Sequence, residues 1–179
     1  MSMRKSLLAA AVLALATRGA LALEAPHLGQ PATSDQIAAY DIDVSPDGSG
    51  LPPGSGTPKQ GEAVYAEKCQ GCHGEKGVNG MPGALALAGG QGTIGKIDVK
   101  PLRTIGSYWP YATSVFAYIR RAMPYYDTKT LSNDELYAVT AYLLQLNKII
   151  GENDTMNAQT LPKVVMPWRD HFRPFVRGD

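Results

Sequence analysis

Cys69-Gln70-Gly71-Cys72-His73 places two thiols three residues apart, with an imidazole directly after the second. On a helical turn, residues three and four apart share a face, so all three side chains can be directed to one side. The run fits the C-x-x-C-H attachment pattern, in which the thiols add to the vinyl groups of a haem and the adjacent imidazole coordinates iron. The pattern occurs once, which predicts one covalently held haem c.

Three other chemistries use the same residue types. An exported protein with two cysteines often holds a structural disulfide, but His73 directly after Cys72 has no part in one. A zinc half-site needs further ligands, and the remaining histidines, His27 and His171, lie in Pro-rich terminal stretches far from the motif. A thiol redox pair needs no histidine after it, and no strand precedes this motif.

A second axial ligand decides whether the iron carries electrons or keeps an open position. Beyond the leader there are four methionines, Met81, Met123, Met156 and Met166. Met123 follows a helix-like run from Ser114 to Arg121 and precedes Pro124, which stops that helix and stiffens the loop. It is the expected ligand opposite His73. Met81 sits in Gly80-Met81-Pro82-Gly83, a turn expected to pass the proximal side, where the carbonyl of Pro82 is the candidate acceptor for the free ring nitrogen of His73. Met156 and Met166 could reach iron only if the tail folded back across the haem.

The elements that must position these residues can be read outward from the motif. A helix is expected from Pro58 through Val64, Tyr65 and Lys68 into the motif, with Val64 and Tyr65 inward. Residues 74–108 read as loop, whose glycines let backbone run close to a flat cofactor. Tyr108, Trp109 and Tyr111 are candidates for lining the haem pocket or bonding a propionate, and Arg103 is a candidate propionate partner. Ser132-Asn133-Asp134-Glu135 is a capping box opening a helix with apolar Leu136, Val139, Tyr142, Leu143 and Leu146.

Residues 1–22 read as a signal peptide: Arg4 and Lys5 precede an apolar run, and Ala20-Leu21-Ala22 is a small-residue cleavage site. Removing Arg4, Lys5 and Arg18 from 17 basic residues leaves 14 against 16 acidic ones, a net charge of −2, which disfavours nucleic acid as a partner. No other apolar run has membrane length, so a soluble, periplasmic mature chain is expected. A Pro/Gly-rich arm spans 23–57, with one helix-like stretch from Ser34 to Tyr40. The haem domain spans 58–148 and a C-terminal extension 149–179. Arm and extension are expected either to grip a partner or to wrap the domain. The fold class is mostly α, and the haem-free chain is expected to be unstable, because so small a domain buries little apolar surface unaided.

These residues together resemble class I cytochrome c: an N-terminal helix, C-x-x-C-H, a proline loop, a distal methionine loop and a C-terminal helix, from Pro58 to Lys148. A narrower resemblance rests on three segments, Ala88-Gly89-Gly90-Gln91-Gly92-Thr93, Thr104-Ile105-Gly106-Ser107-Tyr108-Trp109-Pro110-Tyr111-Ala112 and Tyr118-Ile119-Arg120-Arg121-Ala122-Met123-Pro124. It is to the cytochrome subunits (SoxD) of Sox sulfane dehydrogenases and the related sulfite dehydrogenases. Asp41-Ile42-Asp43-Val44 and Pro46-Asp47-Gly48 extend it over the arm, and Leu161-Pro162-Lys163 and Met166-Pro167 over the tail.

The resemblance implies a class I cytochrome c fold with irregular extensions, and a close helix crossing with Gly61 facing Tyr142. It implies a molybdenum-cofactor dehydrogenase subunit as electron donor, oxidising sulfane sulfur or sulfite, and a further cytochrome or oxidase donor as acceptor. Some members carry a second haem, whereas this chain has one motif. Two other functions fit the motif: a free-standing electron shuttle, and a haem enzyme or sensor with an open iron.

Overall fold

The computed structural model describes residues 29–172; the leader expected over 1–22 and His27 lie outside them. The chain divides after Ile37 into a leading and a main unit. Helix α1 (Ser34–Tyr40) begins in the leading unit, where Thr33 and Gln36 exchange capping hydrogen bonds. No helix among the described residues is long and apolar enough to cross a membrane.

The main unit is framed by α2 (Pro58–Lys68), the single turn α3 (Gln70–His73), α4 (Ala112–Ala122) and α5 (Asn133–Leu146). Two reciprocal capping boxes set the starts of the outer helices. Thr57 accepts from the Gln60 N–H while Gln60 returns to the Thr57 N–H, with Pro58 in the first position; Ser132 and Glu135 do the same for α5. Each box satisfies two N–H groups that a helix start leaves without partners.

The pattern of α5 predicts one apolar stripe, but every residue from Leu136 to Leu144 is buried. The reason is that α2, α4, the arm and the tail all pack around it. At Gly61, as the resemblance implies, α2 comes so close that a Cβ would overlap the carbonyl of Ala138 and crowd Tyr142. Tyr65 and Tyr142 then meet with ring centroids 5.2 Å apart, and Phe116 of α4 lies 4.6 Å from Tyr137. Lys68 and Glu135 close the crossing with a 2.6 Å ion pair.

Packing does not stop at the haem-domain limits expected from sequence. A short strand β1 (Ser55–Gly56) pairs antiparallel with β2 (Met156–Asn157), joining arm to tail. Met156, Leu161 and Met166 are buried in the main core, and Val44 and Leu51 pack against it. The Tyr137 hydroxyl donates to the Pro52 carbonyl at 2.8 Å, and Ser55 N–H to Asp134 Oδ1 at 2.7 Å. Arg121 pairs with Asp43. Within the main unit, residues 43–56 of the arm and 156–166 of the tail therefore pack on the helical frame. Tail methionines that could have competed for iron instead fill the core, as an unbranched, polarisable side chain does well.

Candidate functional site

The helix leading into the motif breaks at Cys69. Its φ and ψ of −123° and −38° end α2 and begin the turn α3, which carries Cys72 and His73. The N–H groups of Cys72 and His73 both return to the Cys69 carbonyl, at 3.1 and 3.0 Å, so the two thiols and the imidazole sit on one tight coil. The Tyr65 hydroxyl donates to the Gly74 carbonyl at 2.8 Å, pinning the exit of the turn to α2. Burial is the main cause that pushes this phenol up to about 12.

A strap then crosses the turn. Met81 N–H donates to the Cys72 carbonyl at 2.8 Å, and at Gly80 any Cβ would overlap the backbone of Cys72 and His73. Only glycine admits that approach. Beyond it, the Ala84 N–H reaches the Met81 carbonyl at 3.0 Å with Gly83 at φ +93°, a type II turn with Pro82 in its second position.

This turn corrects one expectation. The carbonyl facing His73 Nδ1 is that of Leu85, at 3.1 Å, and not that of Pro82. In a type II turn the peptide after Pro82 is the central one, and its carbonyl points out of the ring closed by the Met81–Ala84 bond. The chain has to complete the reversal before a carbonyl turns back to the imidazole. A carbonyl can only accept, so Nδ1 carries the proton and Nε2 is left with a free lone pair for a metal.

Both cysteines are free and half-buried. Burial, with Cys72 as the lesser cause, pushes the Cys69 thiol up to about 11, whereas a thiol redox centre depends on a thiolate stabilised near neutral pH. Among the described residues no three His, Cys, Asp or Glu side chains converge to hold an ion. His171 is stacked on Trp168 at 3.8 Å in the tail. Two free thiols and an imidazole with Nε2 available are the donor set that a covalent haem requires. The loop after the motif also leaves Leu85, Ile97, Val99 and Leu102 exposed. The residues present fit haem c.

The other predicted residues occupy distinct places. Met123 caps α4, half-buried against the core, its N–H on the Ile119 carbonyl at 3.0 Å. Arg103 is exposed, its guanidinium 5.1 Å from the centroid of Tyr108, which in turn meets Phe172 edge-on at 5.5 Å. Trp109 packs against the core and meets Tyr118 edge-on at 5.6 Å. Tyr111 lies under Arg169 at 5.3 Å. The three neighbouring aromatics thus take three different partners.

Sequence reasoning did not find Asn147. It is buried just past α5, and its amide donates to the carbonyls of Leu87 at 3.0 Å and Leu143 at 2.9 Å. Its Oδ1 accepts from the Gly89 N–H at 3.2 Å and from Gln91 Nε2 at 3.4 Å. Thr104 and Ser107 continue the network: Thr104 Oγ1 donates to the Gly89 carbonyl and Ser107 Oγ to the Leu102 carbonyl, both at 2.5 Å. An Asn after the last helical leucine signals a helix end, and nothing in its spacing signals a hub.

The sequence family described as cytochrome c oxidase, cbb3-type, subunit III matches residues 56–143. Among solved structures, the sulfane dehydrogenase SoxCD from Paracoccus pantotrophus superposes with a TM-score of 0.76 at 40% identity, covering 84% of this chain and 72% of that one. No curated protein gives a significant match.

Proposed function

Since the chain belongs to the c-type cytochromes, we propose that it is a periplasmic electron carrier with one haem c bound through Cys69 and Cys72, and with His73 and Met123 on the iron. Its electrons come from a molybdenum-cofactor dehydrogenase subunit that oxidises sulfane sulfur or sulfite, and leave to another cytochrome or an oxidase donor. One observation carries this reading: the C-x-x-C-H turn, with its imidazole oriented by Leu85, sits in a chain 40% identical to a sulfane dehydrogenase structure.

Haem supplies one-electron chemistry between ferrous and ferric iron. The residues supply the rest. Cys69 and Cys72 fix the group covalently, so it stays bound at any concentration. The Leu85 carbonyl holds the His73 tautomer and raises the basicity of Nε2. Met123, at the end of a helix and followed by Pro124, would offer a thioether from a stiff loop as a second iron ligand, which would favour electron transfer over ligand chemistry. The export leader expected over 1–22 supports a periplasmic site of assembly.

The test is to co-express the full chain with a haem-attachment system and a molybdenum-cofactor dehydrogenase subunit of the kind proposed. The expected result is one haem by mass, a low-spin ferric spectrum with the weak long-wavelength band of methionine ligation, loss of that band in Met123→Ala, and co-purification with a molybdoprotein. A high-spin ferric spectrum would overturn the carrier reading. A low-spin haem that never co-purifies would leave a free-standing shuttle.

A further inference from the structure

The hydrogen bond to His73 does not stand alone, because the segment that supplies it is clamped two residues further on. Leu85 offers its carbonyl to His73 Nδ1 at 3.1 Å, while the Leu87 carbonyl receives the Asn147 amide at 3.0 Å and the Leu87 N–H donates to the Gly77 carbonyl at 2.8 Å. Asn147 is itself immobilised. It is buried, its amide also reaches the Leu143 carbonyl one turn back, and Gly106 lies so close that a Cβ there would crowd both Asn147 and Gln91.

We propose that Asn147 is a positioning residue for the iron site, which sets the strength of the His73–Leu85 hydrogen bond by fixing the Leu85–Leu87 segment to the end of α5. The inference rests on the haem reading above and deepens it. The physical chain is short. A carbonyl held at one distance from Nδ1–H keeps a constant share of negative character on the imidazole, and that share tunes the iron. Loosening Leu87 from the end of α5, with its bonds to Gly77 and Ile105 kept, lets the Leu85 carbonyl drift, the bond weakens, and the ferric state would lose stabilisation relative to the ferrous one.

Two replacements separate this role from simple stability. Asn147→Leu keeps the branched shape and removes every amide contact; Asn147→Asp keeps the acceptor for the Gly89 N–H and removes the amide donor to Leu87. The Leu87 carbonyl keeps the Ile105 N–H at 3.3 Å in both, so the fold has a remaining anchor. Leu161→Ala serves as a comparator, since Leu161 is fully buried in a tail turn that packs on α4.

The measurements are the exchange rate of the His73 Nδ1 proton in the ferrous holoprotein by 1H–15N NMR, the reduction potential, and the thermal midpoint. Either Asn147 replacement is expected to speed Nδ1–H exchange by roughly fivefold or more, as loss of an ordinary hydrogen bond allows, and to raise the potential. Leu161→Ala is expected to lower the midpoint while leaving both site readouts unchanged. Wild-type exchange and potential in a folded Asn147 variant would overturn the proposal. A wild-type chain that takes up no covalent haem would remove its premise, and that failure is seen before any variant is made.

Discussion

The helical frame and the loop from Gly74 to Tyr111 are held by different forces. In the frame, Tyr65, Phe116, Tyr137, Leu144 and the tail's Leu161 and Met166 are almost wholly removed from water, and burial does most of the stabilising. The loop has no helix longer than one turn. It is tied by hydrogen bonds from Asn147, Thr104 and Ser107, while Leu85, Ile97 and Leu102 face outward. Apolar packing tolerates small shifts, whereas a carbonyl that must meet an imidazole nitrogen needs directional partners. The frame supplies stability, and the loop supplies geometry to His73.

Removing a frame contact should give the largest loss of stability and the smallest change at the site. Leu161→Ala is expected to cost about 2–5 kcal/mol, the range for emptying a buried leucine position, measured by urea unfolding of the holoprotein. A cost below about 0.5 kcal/mol, typical of a surface position, would show the tail to be an appendage and break the comparison.

Tyr65→Phe touches both regions, because the hydroxyl on α2 holds the Gly74 carbonyl at the loop's start. The expected loss is about 1 kcal/mol near neutral pH. The pH dependence is sharper. The folded-state value of Tyr65 is raised to about 12 from 10, so its contribution is complete below pH 10 and is lost as pH rises through the folded value. Unfolding followed between pH 9 and 12 should therefore fall less steeply in Tyr65→Phe than in wild type; parallel curves would mean the phenol is not sequestered.

The smallest effect belongs to the Lys68–Glu135 pair at the rim of the crossing. Its partners are partly solvated, so Lys68→Met is expected to cost no more than about 1 kcal/mol, and less at high salt. The hydrogen bond to Lys68 holds the Glu135 carboxyl below its ordinary value, and that to Glu135 holds Lys68 above its own. The Glu135 part is present above the unfolded carboxylate value and is lost as pH falls through the lowered one; the Lys68 part is lost as pH rises through the raised one. A salt-independent loss in a melting series would place the effect in the lysine stem's packing instead.

The frame was legible in the sequence for a local reason. Ser132 with Glu135, Pro58, and the apolar spacing of α5 act within a few residues, and the observed helices begin where those signals stand. The burial of α5 on all sides was not legible, because it depends on an arm and a tail returning from distant parts of the chain. The same holds for Met156 and Met166: composition makes them ligand candidates, and only the folded tail shows them as core.

The sequence by itself determined the donor set: two thiols and an imidazole at C-x-x-C-H spacing fall on one helical turn in the pattern of haem attachment, since that spacing acts within a single coil of backbone. Tertiary structure decided how the imidazole is held. Which carbonyl meets His73 depends on where a glycine-rich turn finishes its reversal, and what steadies it comes from Asn147, more than sixty residues beyond Leu85. Contacts of that separation leave no periodic trace in the chain, so the choice of Leu85 over Pro82 became visible only in the folded molecule.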